Sequence, residues 1–173
     1  MEDKIIGYTT GVYDMFHIGH LNILKKAKSM CDELIVGVST DELVQKEKHK
    51  TPVIPYAERA EIVKSIKYVD KVVPQENKDK LAAWRKYHFK KMFVGSDWKG
   101  TPQWNEFEKQ FSPLGVKIVY LPHTDGISST QLTNYIKKKL AETCRTNKFV
   151  GGGYNCRVVL LRSEQLSGME AVA

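Results

Sequence analysis

Lys4-Ile5-Ile6-Gly7-Tyr8-Thr9-Thr10-Gly11-Val12-Tyr13-Asp14-Met15-Phe16-His17-Ile18-Gly19-His20 is the stretch from which the fold can be read. Lys4 to Thr10 is rich in β-branched and aromatic residues and predicts a strand. Leu21 to Met30 follows with Leu21, Leu24, Ala27 and Lys28 at helical spacing. A strand that runs through a short glycine-bearing loop into a helix opens an α/β unit, and in open α/β sheets ligands bind outside the carboxyl ends of the strands. Gly11 would let a phosphate approach the backbone. His17 and His20, three apart, would share one face of the first helical turn, with Gly19 leaving room for a ligand above it. Free N–H groups and the helix dipole favour an anion there, and two imidazoles can donate hydrogen bonds to phosphate oxygens. Two histidines at this spacing are ordinarily a surface pair or part of a metal site. Their place directly after the first strand, behind a Gly and an Asp, favours phosphate binding, and no third ligand follows at helpful spacing.

The rest of the chain continues the alternation. Leu34 to Ser39 reads as a buried strand, Pro55 to Lys67 as a helix, and Lys71 to Val73 as a short strand ended by Pro74. Asp79 to Tyr87 reads as a helix, Lys91 to Val94 as a strand, and Gln103 to Phe111 as a helix. Val116 to Leu121 reads as a strand and Ser128 to Leu140 as a closing helix. Five strands alternating with helices predict a Rossmann-like α/β domain: a parallel sheet covered on both faces, with right-handed crossovers.

The 173 residues suffice for one domain with a real core. The longest apolar runs, such as Leu34-Ile35-Val36-Gly37-Val38, are far short of a bilayer span of about 20 residues, so no membrane insertion is expected. The three cysteines, Cys31, Cys144 and Cys156, form no CxxC pair, which argues against a disulfide framework or zinc site. With Met1-Glu2-Asp3-Lys4 opening the chain without a leader-like pattern, a cytoplasmic protein is expected. A net charge of +7, from 27 Lys and Arg against 20 Asp and Glu, suits nucleic acid, an anionic surface or small phosphorylated ligands. The tightest basic groups are Lys46-Glu47-Lys48-His49-Lys50 and Lys137-Lys138-Lys139, and the remaining positive residues are spread out as on an ordinary solvated surface.

Four blocks carry a family resemblance. Gly11-Val12-Tyr13-Asp14 leading to His17-Ile18-Gly19-His20 resembles the HxGH signature of the nucleotidylyltransferases related to class I aminoacyl-tRNA synthetases. Leu121-Pro122-His123-Thr124-Asp125-Gly126-Ile127-Ser128-Ser129-Thr130 resembles that family's R-T-x-G-[IV]-S-[ST]-T block. Gly95-Ser96-Asp97-Trp98 and Ile66-Lys67-Tyr68-Val69-Asp70 resemble its G-[DS]-D-W and I-R-Y-V-D segments. The blocks keep the family's order from Lys4 to Leu140. Within the family the likeness is to the cytidylyltransferases that activate phosphorylated alcohols, glycerol 3-phosphate first among them.

That resemblance implies joining of CTP to a phosphoalcohol with release of pyrophosphate, by direct in-line attack. His17 and His20 would stabilise charge on the α-phosphate. Lys46 and Lys48, read as part of a loop, would clamp the phosphates, Lys46 also meeting the acceptor. Val12, Tyr13, Ile18 and Gly19 would touch the nucleotide, as would His123, Thr124, Asp125, Gly126 and Ile127. Ser128, Ser129 and Thr130 open the last helix, where hydroxyls cap free N–H groups and can also bind phosphate. Asp97 and Trp98 would lie near the base. Asp14, Arg59, Lys67 and Lys80 are expected on the acceptor side. Mg²⁺ would come with the CTP phosphates, held by them and by water, so no protein metal ligand is expected. The resemblance also implies a homodimer. His123 and Lys67 stand where the family pattern has Arg, and Thr101-Pro102-Gln103-Trp104 is an insertion at the rim.

Residues 1–143 are therefore expected to form the catalytic domain and residues 144–173 an appendage. Triple glycine at Gly151-Gly152-Gly153 suggests a flexible connection there. The apolar run Val158-Val159-Leu160-Leu161 beyond it reads as an added edge strand, a partner contact or a tail. Phosphocholine or phosphoethanolamine as acceptor, and ATP in place of CTP, are the alternatives within the class. An RNA-binding module is the alternative outside it, since His17-Ile18-Gly19-His20 spells the synthetase motif. The chain has no room for an anticodon-binding domain, so no nucleic-acid partner is expected.

Overall fold

The structure is a computed structural model that describes residues 4–146. The chain divides into two compact units, the first running to Ile127 and the second opening at Ser128. The first unit is a five-stranded sheet in the order β3-β2-β1-β4-β5, with every neighbouring pair parallel. Its elements are β1 (Ile6–Gly11), α1 (Ile18–Lys28), β2 (Glu33–Ser39), α2 (Asp41–Lys48), α3 (Tyr56–Lys64), β3 (Lys71–Gln75), α4 (Lys80–Tyr87), β4 (Lys91–Gly95), α5 (Pro102–Phe111) and β5 (Lys117–Leu121). The second unit, as far as it is described, is α6 (Ser129–Thr146). Residues 147–173, which hold the glycine triplet and the apolar run of the expected appendage, lie outside the described residues.

Side chains that alternate along each strand supply two cores. Leu34, Val36 and Val38 of β2 and Phe93 of β4 pack with Leu24 and Ala27 of α1 and Val63 of α3. Their immediate neighbours Ile35 and Met92 pack with Tyr8, Val73, Phe89 and Trp104 and Phe111 of α5, edged by Leu81 and Trp84 of α4. Both faces of β2 are thus covered, which is why the strand reads as a continuous apolar run rather than an alternating one. The order reverses at β1: β2 and β3 lie to one side, β4 and β5 to the other.

Two expectations are corrected here. Pro74 does not end β3. It sits inside the strand opposite Val38, which is tolerated because β3 is an outer strand: the neighbouring Gln75 carbonyl accepts from the Thr40 N–H of the β2 side, so the Pro74 nitrogen faces the open edge, where no ladder bond is lost. Residues 45–48 are not loop but the end of α2, a helix with only Leu43 and Val44 buried. The apolar signal was therefore too thin to see. The ends carry the helix instead: Thr40 Oγ1 accepts from the Leu43 N–H at 3.2 Å, Asp41 and Glu42 occupy the first turn, and Lys46 and Lys48 the last. The inserted Thr101–Trp104 segment starts α5, with Pro102 in its first turn and Trp104 buried.

Phe111 is fully buried in the second core. Phe111→Ala should lower unfolding free energy by about 3–5 kcal/mol in urea titration.

Candidate active site

The loop from Gly11 to His17 is tightly constrained. Tyr13 and Met15 both adopt left-handed backbone, with φ of 56° and 47°, a cost of about 1–3 kcal/mol each that surrounding contacts must offset. Tyr13 turns its ring into the first core, where it meets His20 edge-on at 5.3 Å between centroids. A Cβ on Gly11 would stand 3.0 Å from that ring, so Gly11 makes room for Tyr13 rather than, as the sequence suggested, for a phosphate.

His17 is the N-cap of α1. Its Nδ1 accepts from the Gly19 N–H at 3.1 Å, and the His17 N–H donates to Nδ1 of His20 at 3.4 Å, a reciprocal capping pair. The two imidazoles stack with centroids 3.9 Å apart. The space over Gly19 is therefore filled by His17, whose Cε1 would lie 2.9 Å from any Cβ there. Because both Nδ1 atoms accept, both rings are Nε2–H tautomers, and each keeps one N–H donor for another partner. Burial lowers the His17 pKa, and burial together with His17 pushes that of His20 down to about 4. Two neutral rings can stack; two cations could not do so cheaply.

The C-terminal block closes on the same place. Asn22 of α1 donates to Thr124 Oγ1 at 3.0 Å, and the Ile127 γ-methyl lies 3.6 Å from the Cβ position of Gly19. Asp125 and Gly126 form the turn between them, Gly126 with φ of 78°. His123 Nε2 pairs with Asp97 at 2.7 Å, so two residues expected at the nucleotide hold each other. Trp98 follows Asp97 in a turn of 3₁₀ helix after β4, half exposed, with its ring 6.5 Å from that of Trp104. Ser128 begins the second unit, where its Oγ accepts from the Gln131 N–H at 3.1 Å and so caps α6. Ser129 and Thr130 form the first turn of that helix.

On the other side of β1 the expected acceptor residues stand in different settings. Asp14 uses both carboxylate oxygens on backbone, accepting from the Val53 and Ile54 N–H groups at 2.9 Å each. Arg59 is a correction: its side chain is 0% exposed and is engaged by protein groups. Its Nε donates to the Ile54 carbonyl at 2.8 Å, Nη1 to the Val12 carbonyl, and Nη2 to Asp41 at 2.6 Å. Lys67 is the second correction. It lies just before β3, at the amino end of the sheet, with its amine over the Tyr68 ring at 5.3 Å, and this chain does not bring it to the histidines. Lys80 remains at the carboxyl edge: it is buried, with Nζ 3.0 Å from Thr10 Oγ1 at the end of β1. Burial, then the nearby Lys78, lowers its pKa to about 8. Lys46 and Lys48 stand in the last turn of α2. Asp41, Asn22 and Thr10 were missed from sequence. Asp41 carried only a helix-start signal, and the other two carried none.

A family model described as cytidylyltransferase-like matches residues 8–135. The chain belongs to the cytidylyltransferase-like family. This member is 39% identical over 142 residues to the glycerol-3-phosphate cytidylyltransferase of Bacillus spizizenii, covering 80% of this chain and 97% of that protein. The protein of the same name from Staphylococcus aureus is 36% identical over 135 residues, covering 78% and 96%. The FAD synthase of Pyrococcus horikoshii is 52% identical, over only 70 residues, covering 40% and 47%. Among solved structures, a lipopolysaccharide core biosynthesis protein from Thermoplasma volcanium aligns with a TM-score of 0.59 at 24% identity, over 70% of this chain and 98% of that one, a likeness of fold. Among the described residues no helix is long and apolar enough to cross a membrane.

Two predictions follow from the caps and the buried guanidinium. A His whose pKa falls from 6.5 unfolded to about 4 folded binds more protons when unfolded, so stability should drop as pH falls from about 6.5 to 4 and level off below. His20→Asn keeps an acceptor at the Nδ1 position without titrating. It should remove on the order of 2 kcal/mol of that acid-induced loss, read from urea midpoints across pH. Arg59→Ala leaves two carbonyls and a carboxylate without their donor and should cost about 3 kcal/mol or more in the same assay.

Proposed function

We propose that this chain transfers CMP from CTP to sn-glycerol 3-phosphate, giving CDP-glycerol and pyrophosphate. The observation that carries the reading is the closure of the His123–Ile127 block onto the start of α1, through Asn22–Thr124 and Ile127 beside Gly19. It gathers two family motifs, about 100 residues apart in sequence, at the carboxyl edge of β1, where the strand order reverses. The likeness over most of the chain to two glycerol-3-phosphate cytidylyltransferases supports the same activity.

In this reading an oxygen of the acceptor phosphate attacks the α-phosphorus of CTP. The new O–P bond forms as the bond to the β-phosphate oxygen breaks, and pyrophosphate leaves with the electron pair. No proton need be removed from an acceptor phosphate already ionised at neutral pH, so the histidines serve as neutral Nε2–H donors to oxygens that gain charge. Such fixed donors are worth more in the transition state than in the ground state. The two substrates would lie on either side of β1. Asp97, Trp98 and His123, beside β4 and β5, would take the nucleotide, with Thr124 to Ile127 along its phosphates. Lys46 and Lys80, beside β2 and β3, would neutralise phosphate on the acceptor side and Lys48 the phosphates of the nucleotide, while Asp14 and Arg59 act as positioning residues. Among the described residues no three His, Cys, Asp or Glu side chains gather as a protein-held metal requires. A Mg²⁺ ion would come with CTP, held by phosphates and water, and would neutralise charge on them. We place the enzyme in the cytoplasm as a homodimer, supplying an activated glycerol phosphate for a polymer such as teichoic acid or a capsule.

A second reading, transfer of AMP from ATP, is favoured by the higher local identity to an FAD synthase. Pyrophosphate release should be measured for CTP and ATP against glycerol 3-phosphate, phosphocholine and phosphoethanolamine. CTP with glycerol 3-phosphate should be the fastest pair, and a preference for ATP would overturn the cytidylyl assignment. His17→Ala should lower turnover by about 100-fold or more. Unchanged turnover in that variant would remove the histidines from the mechanism.

A further inference from the structure

Glu47 stands in the last turn of α2 between Lys46 and Lys48, and its carboxylate is paired with the ammonium of Lys78 from the connection between β3 and α4. That connection is well anchored at its base. Ser39 donates to the buried Gln75 Oε1 at 3.0 Å, the Thr40 N–H donates to the Gln75 carbonyl at 3.1 Å, and Gln75 Nε2 donates to the Asn77 carbonyl at 3.2 Å. Two residues after Lys78 comes Lys80, whose Nζ contacts Thr10 at the end of β1. Lys78 thus springs from a fixed backbone at the rim of the expected acceptor pocket. Its side chain is 54% exposed, whereas that of Glu47 is 29% exposed.

We propose that Lys78 is a phosphate-binding residue of the acceptor side, paired with Glu47 at rest and transferred to the acceptor phosphate when that substrate arrives. The inference rests on the acceptor lying beside β2 and β3, as argued above. Burial, and after it the charge of Lys78, lowers the affinity of the Lys48 and Lys80 ammonium groups for protons. Cations held this close to one another are costly until an anion joins them. Glu47 neutralises one of them in the meantime, and a phosphate offers that ammonium a second anion without first stripping it of water. Lysine suits such an exchange, being a rotatable point charge rather than a fixed fork. Glu47 is then a competitor of the substrate, and its removal should act in the opposite direction to the removal of Lys78.

The test uses the full chain and the variants Lys78→Gln, Lys78→Arg, Glu47→Gln and Lys78→Gln/Glu47→Gln, each with its thermal melt compared with that of the parent. The KM for sn-glycerol 3-phosphate is measured at saturating CTP, and the Kd for inorganic phosphate by calorimetry at low salt without nucleotide. Lys78→Gln should raise both constants about tenfold, with the effect falling on acceptor KM rather than on kcat or on the KM for CTP. Lys78→Arg should restore most of the loss, Glu47→Gln should lower both constants about threefold, and the double variant should match Lys78→Gln. If Lys78→Gln and Glu47→Gln shift the constants in the same direction, or Lys78→Gln shifts neither, the exchange does not occur. If phosphate affinity splits in opposite directions but no phosphoalcohol is cytidylylated, the proposed reaction fails and the anion site stands.

Discussion

Arg59 sits in the first core's margin with its side chain wholly out of water, and three of its nitrogens meet three different pieces of chain. Val12 belongs to the loop after β1, Asp41 to the start of α2, and Ile54 to the approach to α3. A guanidinium can do this because its donors lie in one plane and point apart, which an ammonium cannot reproduce. Asp14 closes the same arrangement from the other direction, binding the Val53 and Ile54 N–H groups. The residues around the histidines are therefore fixed through one cation wholly buried in the protein. Its partner Asp41 also accepts from the Tyr56 N–H at 3.0 Å, so the starts of α2 and α3 are tied to a single carboxylate.

The histidine pair couples folding to chemistry in a related way. Each Nδ1 is used to begin α1, which fixes the ring, its tautomer and its neutrality together. The donors left over are not held by a separate supporting group. They are fixed by the same hydrogen bonds that start the helix. Tyr13, in strained backbone, packs its ring against His20 and fills the space that Gly11 leaves open.

Much of this was legible in the sequence. The parallel five-stranded sheet followed from apolar runs alternating with helical spacing, and both site motifs followed from quoted residues. Failures occurred where the deciding contacts are not local. An arginine in a family-like position looks the same in sequence whether it meets a phosphate or three carbonyl and carboxylate oxygens, so Arg59 was assigned to substrate. Lys67 was misplaced because a motif does not say at which end of a parallel sheet it lies; the direction of β3 does. The space left by Gly11 and Gly19 is taken by the rings of Tyr13 and His17, a matter of rotamer that spacing does not encode. α2 escaped because its evidence was in its caps and not in its two buried residues.

Pro74 bears on how the protein behaves in a crowd. β3 is an outer strand, and an unguarded outer strand invites a second molecule to continue the hydrogen-bond ladder. Proline there withholds a donor, and Lys71 at the head of the strand places an exposed charge along the same border. The sheet is thereby made a poor template for the open-ended stacking that leads to aggregation, with the ladder to β2 left intact.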